Sequence, residues 1–163
     1  MIGRSVLPAV AFVLASATGA FASTSIVKWP PWISIESPVN PYDPTARGAI
    51  MLVHATFREG PARLSDVSGS AEGIVGGARR SISLRFDSTG QPNVFALRRQ
   101  WPAEGAWLVR IAVRNTTAIV TLDRAGNVAS VRVPTELSKV GDRLPRAVAA
   151  KEIDSTLAEV AKR

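Results

Sequence analysis

The chain has 163 residues, 46% hydrophobic and 20% charged, the composition of one globular domain rather than of a disordered or fibrous chain. It contains no cysteine and one histidine, which excludes a disulfide framework, a thiolate metal centre and a cysteine nucleophile. The formal charge of +7, with sixteen arginines and four lysines, suits an anionic partner, but the arginines are scattered and Tyr42 is the only tyrosine, so no nucleic-acid binding is expected.

At the N-terminus, Arg4 precedes an apolar run, Val6 to Leu14, that gives way to small residues as far as Ala22. Ala20-Phe21-Ala22 fits the small-x-small rule for signal cleavage, so residues 1–22 read as a signal peptide and Ser23 as the first mature residue. Pro8, Thr18 and Gly19 keep the run short of the roughly 20 residues a membrane span needs; a retained N-terminal anchor is the competing reading. No second hydrophobic stretch follows, so no membrane span is expected after cleavage. The expected compartment is periplasmic or secreted.

Residues 23–47 form a Pro-rich lead-in. Trp29-Pro30-Pro31-Trp32 runs into Ile33-Ser34-Ile35-Glu36, whose alternation suits an edge strand. Pro38, Pro41 and Pro44 recur every three residues, the period of polyproline II. Such a segment either docks on an aromatic groove or, the preferred reading, is pinned over the domain by Trp29, Trp32 and Tyr42.

Residues 48–134 carry the strand patterns. Ala49 to Phe57 is apolar on both faces and predicts a central strand covered on both sides. Residues 62–78 are glycine-rich and suggest one weak strand near Val67, with turns at Gly69, Gly73 and Gly76-Gly77. Arg80 to Phe86 alternates cleanly and is expected to form a hairpin with Val94 to Arg99, setting Phe86 opposite Phe95 and Leu84 opposite Leu97. In Ala106 to Val113, Trp107, Val109, Ile111 and Val113 make one apolar row, and a large aromatic at the head of β-branched residues suits a core strand. Asn115 to Thr117 reads as a turn and Ala118 to Leu122 as a strand. Asp123 to Asn127 is a tight loop with Gly126 or Asn127 left-handed, and Val128 to Val133 is its hairpin partner, stopped by Pro134.

From Thr135 onward the β pattern ends, and residues 135–163 read as a helical tail. Asp142 is a candidate cap and Pro145 a first-turn residue of a helix running to about Ala161. Val148, Ile153, Leu157 and Val160 trace its apolar stripe, and Glu159 with Arg163 has i,i+4 spacing. Docking of this helix on its own domain is expected, with partner contact as the alternative. The fold class is therefore mainly β: an antiparallel immunoglobulin-like β-sandwich of about seven strands with a C-terminal helix.

Chemistry is sparsely written. His54 stands alone in the most apolar strand, where a structural histidine satisfied by a neighbour is expected; a histidine metal site needs at least two. No nucleophile elbow, phosphate loop or clustered calcium acids occur, and the acids fall at turns. No catalytic residue, metal or cofactor is expected. The most suggestive surface feature is Arg79, Arg80, Arg85, Arg98 and Arg99, which lie on two strands expected to be adjacent and whose outward members suit a guanidinium cluster for carboxylates or phosphates. The alternative is that they blunt sheet edges and pair with acids such as Glu72 and Asp87.

The succession MLVHATF, AEGIV, RRSISLRF and WPAEGAWLVRIAV, over Gly48 to Val113, resembles small exported bacterial immunoglobulin-like domains of the YtkA-like group and, more widely, the CopC copper-resistance sandwich. The resemblance implies an immunoglobulin-like fold, export and, in some members, copper handling. The copper ligands of those members have no matching His or Met set here, so that activity is not carried over. The expected function is a non-enzymatic exported binding or accessory module that contacts a partner protein or anionic ligand through the arginines or the C-terminal helix. Metal handling and an enzyme of unknown type are the alternatives.

Overall fold

The computed structural model describes residues 29–58 and 60–162. The expected signal segment and the partner of Glu159, Arg163, lie outside them. Two antiparallel sheets form a β-sandwich. The first has four strands in the order β1 (Trp32–Glu36), β2 (Ala49–Thr56), β6 (Val94–Arg98) and β5 (Asp87–Ser88). The second has five: β4 (Ala78–Ser83), β3 (Val67–Val75), β7 (Ala106–Val113), β8 (Thr116–Leu122) and β9 (Val128–Arg132). Leaving out β9, the orders β1-β2-β6-β5 and β4-β3-β7-β8 match the A-B-E-D and C′-C-F-G sheets of an immunoglobulin sandwich. Among the described residues nine strands form the sandwich, because β1 joins from the lead-in and β5 forms in the stretch expected to be a loop after Phe86. A small hairpin, β10 (Thr135–Leu137) with β11 (Arg143–Pro145), and helix α1 (Ala150–Val160) follow. Among the described residues no helix is long and apolar enough to cross a membrane.

The core follows from the period-2 patterns. Met51, Val53 and Ala55 of β2, Phe95 and Leu97 of β6, and Trp107, Val109, Ile111 and Val113 of β7 face each other between the sheets, all buried. The β2 expectation holds on its second face too. Leu52 packs with Val94 and Ala96 under Val39 and Ala46, so the Pro-rich segment folds over the outer face of the four-stranded sheet. The aromatic residues expected to pin it do not: Tyr42 is 90% exposed and Trp29 and Trp32 are about half exposed. Ile33–Glu36 pairs with β2 as the edge strand anticipated.

The largest departure concerns Arg80 to Phe86. This stretch does not form one strand beside Val94–Arg99. β4 instead forms a hairpin with β3 through the two-residue turn Gly76-Gly77, both at positive φ (58° and 79°), the conformation a tight hairpin demands. The chain then crosses sheets at Leu84–Phe86, both still buried, and pairs Asp87 with Ala96 and Ser88 with Phe95. The crossing is held by Gln100, whose side chain accepts from the Arg85 amide at 2.9 Å and donates to its carbonyl at 2.7 Å, standing in for a missing ladder rung.

Two further boundaries differ. The β7–β8 turn is Arg114-Asn115, so Thr116 and Thr117 are strand residues, fully buried. The Thr116 hydroxyl donates to the Pro31 carbonyl at 2.7 Å, and the Thr117 amide donates to the Arg146 carbonyl. Asp142 caps no helix: it lies in the β10–β11 turn, and Pro145 sits in β11. Gly126 does take the left-handed position expected of it (φ 86°).

Candidate functional site

Helix α1 docks on the outer face of the five-stranded sheet, placing Ile153 and Leu157 on Leu108 of β7 and Ile119 of β8. Four polar fasteners hold it. Arg146 makes a two-pronged ion pair with Glu152, both bonds 2.8 Å, and Glu152 also accepts from the Ala149 amide at 3.1 Å at the exposed start of the helix. The Arg146 guanidinium, then that amide bond, lower the Glu152 carboxyl to about 2. Arg79 of β4 pairs with Asp154, Arg132 of β9 donates to the Thr156 hydroxyl at 3.0 Å, and the Thr117 hydroxyl accepts from the Val148 amide.

These fasteners decide the fate of the expected arginine cluster. Arg79 lies between Asp154 and Glu72, whose buried carboxylate also accepts from Ser81 at 2.8 Å. Its guanidinium is held above the ordinary arginine value, chiefly by the Asp154 bond. Arg98, on the other sheet, pairs with Asp87 and donates to the Arg47 carbonyl. Arg99 donates to the Trp101 and Pro102 carbonyls. Arg80 borders a cleft of about 330 Å³ beside Ile82, Pro102 and Trp107, and Arg85 is exposed at the sheet crossing. The five therefore stand on two sheets and the crossing between them, with Arg79, Arg98 and Arg99 engaged by their own domain. Glu72 and Asp87 are the acids that the alternative named.

His54 places Nε2 3.1 Å from Glu36 Oε2 on the outer face of the four-stranded sheet. That is the satisfied neighbour expected of a structural histidine. Among the described residues no group of three or more His, Cys, Asp or Glu side chains is placed to hold a metal ion. The Glu36 carboxylate is the hydrogen-bond partner of the imidazole among the described residues.

Two further hollows lie beside α1. A groove of about 510 Å³ runs between the helix and β9, with Ile119 on its floor and Thr121, Ser130, Arg132, Lys151 and Ser155 on its walls. A second hollow of about 460 Å³ lies towards the helix C-terminus, walled by Trp107, Leu122, Arg124 and Val160. Both have apolar floors and polar or charged rims, the usual build of a binding cleft. Beside the first, β9 ends the sheet and its residues 129–132 are exposed, leaving a strand edge open to pairing. No family model, curated protein or solved structure matches this chain. Sequence reasoning missed this groove because its polar residues come from three elements with no fixed spacing. Only the outward polar positions of β8 and β9, Thr121, Ser130 and Arg132, hinted at it.

Proposed function

We propose that this chain is an exported, non-enzymatic binding module that holds an extended segment of a partner protein in the groove between α1 and β9. The supporting observation is the conjunction of a groove of about 510 Å³ with an open strand edge along its rim. An extended peptide gains main-chain hydrogen bonds from a free strand edge, and alternate side chains find pockets beside it. The rim carries both signs of charge, with Arg132 and Lys151 near Glu152 and Glu159, which suits a mixed polypeptide better than a purely anionic ligand. Export, periplasmic or secreted, is part of this reading and rests on residues 1–22 together with the likeness to YtkA-like domains. Copper handling would draw on His54 and Glu36, and an enzyme on His54 and the loop acids.

Photocrosslinking amino acids placed at Ser130 and Ser155 test the reading in cells that express the full chain. A single defined adduct is expected from both positions, with none from Ser88 on the opposite sheet. Adducts from Ser88 and none from the groove positions would reassign the binding surface. No adduct from any of the three would remove the binding reading.

A further inference from the structure

We infer that one end of the sandwich, the tip formed by residues 29–32, 57–58, 60–66 and Arg114, is a docking surface for an anionic lipid bilayer. The tip is assembled by contacts between neighbouring segments. Trp32 opposes Thr56 in the β1–β2 register, and Phe57 and Arg58 follow directly. The Arg58 guanidinium lies over the Trp29 ring, 4.7 Å from its centre, and Arg114 lies over Phe57 at 4.4 Å. Arg114 also pairs with Asp66 at 3.2 Å, which ties in the short 3-10 helix Leu64–Asp66.

Three large apolar side chains are left in water there: Trp29 and Leu64 at 45% exposure and Trp32 at 49%. Exposed apolar side chains gathered with cations at one end suit an interaction surface. Indole rings favour the membrane–water interface, and guanidinium groups beside them meet lipid phosphates. Arg58 stacked on Trp29 puts both on one spot. Arg58, Arg63 and Arg114 supply the cations. The acids of the same segments are Asp66, which accepts from Arg63 and Arg114, and by sequence Glu59. The Asp66 carboxyl is held below its ordinary value first by the Arg63 amide and then by Arg114, so it stays engaged.

Indole rings set beside guanidinium groups favour a bilayer over a folded protein, and neither groove beside α1 includes these residues. A deformable interface accommodates such side chains without a complementary pocket.

The four tryptophans make the test direct. Trp101 and Trp107 are buried (both 4% exposed), and residues 1–28 contain none. The full-length protein is mixed with vesicles of phosphatidylglycerol and phosphatidylcholine whose acyl chains carry bromine, and with vesicles of phosphatidylcholine alone. Strong quenching of tryptophan emission is expected on the anionic vesicles and weak quenching on the zwitterionic ones, with loss at about 0.5 M salt, where charge attraction is screened. The Trp29→Ala/Trp32→Ala variant should lose the quenching. Arg58→Gln/Arg63→Gln should weaken vesicle binding about tenfold while circular dichroism stays unchanged. Equal quenching on both vesicle types would overturn the proposal, because the apolar run at residues 6–14 alone would then bring the chain to the membrane. Undiminished sedimentation of Trp29→Ala/Trp32→Ala with anionic vesicles would do the same, assigning binding to the +7 charge. Displacement from the vesicles by equimolar polyglutamate would mark the tip as a site for acidic polypeptides instead.

Discussion

Gly73 and Gly69 explain why β3 is hard to read and why it is nonetheless central. Its inward positions are Val67, Gly69, Ala71, Gly73 and Val75, a period-2 row written in small residues, so hydrophobicity alone suggests little beyond Val67. The volume they leave is filled from elsewhere. A Cβ on Gly73 would lie 2.3 Å from the Trp107 ring, and one on Gly69 would lie 2.7 Å from the Arg110 carbonyl and 3.0 Å from the Phe86 ring. The glycines therefore mark close approach rather than flexible turns, the reading their abundance invites. Neither has a positive φ, so the penalty of substitution is steric. Gly73→Ala should destabilise the fold by about 3 kcal/mol, towards the upper end for overpacking, despite alanine's small entropic advantage in a strand. Thermal and denaturant unfolding would measure it. A stability within about 0.5 kcal/mol of the parent would show that Trp107 does not sit against this strand. Trp107 itself was legible, because a Gly-marked turn and a β-branched row surround it. Its partner was not, since two glycines carry no pattern that names a tryptophan.

Helix α1 was legible in its stripe and misplaced at its start. Ile153, Leu157 and Val160 are buried as the spacing predicts. Asp142 and Pro145 signal an earlier start because both are good terminus residues, whereas three-residue strands such as Thr135–Leu137 and Arg143–Pro145 are too short to show a period. The true start lacks a capping side chain at Ala149, and Glu152 compensates by reaching back to the Ala149 amide while paired with Arg146. This makes acid sensitivity a specific expectation. Glu152 ionises at about 2 in the fold against an ordinary 4.5, so its charged form stabilises the protein above about pH 4.5, and that contribution is lost as pH falls from 4.5 to 2. Glu152→Gln should flatten that part of the stability–pH profile and leave the profile above pH 6 parallel to the parent's. Denaturation midpoints taken at half-unit pH intervals would reveal it, and an unchanged acid limb would remove the Arg146–Glu152 pair from the account. Leu157→Ala tests the apolar side of the same docking. Buried Leu-to-Ala changes cost about 2–5 kcal/mol, and Leu157 is 3% exposed. A loss within that range should be accompanied by faster amide exchange across 150–160. A loss below about 1 kcal/mol would mean that the helix is only loosely held.

At the scale of the molecule the chain is layered: the Pro-rich segment, the four-stranded sheet, the five-stranded sheet, then α1. Composition changes at residues 47 and 134, yet both outer segments pack on the sheets, as expected of the helix. Val39 and Ala46 cover Leu52, Val94 and Ala96, and α1 covers Leu108 and Ile119, which are 0% and 1% exposed. Leu108 lies on the face of β7 opposite Trp107, so the strand is apolar on both sides and needs a cover on each. Ending the chain at residue 146 is therefore expected to unseal a core rather than remove a tail. Leu108 and Ile119 would lose the cover that Ile153 and Leu157 provide. A net loss of about 4 kcal/mol, the scale of uncovering two large apolar side chains at about 1.5–3 kcal/mol each, corresponds to a fall of roughly 10 °C or more in Tm for a domain of this size. The shortened chain should also bind an apolar dye at the exposed β7–β8 face, whereas the parent should not. An unchanged Tm without dye binding would restore the tail reading, and the groove along β9 would then lose one of its walls as a fixed feature.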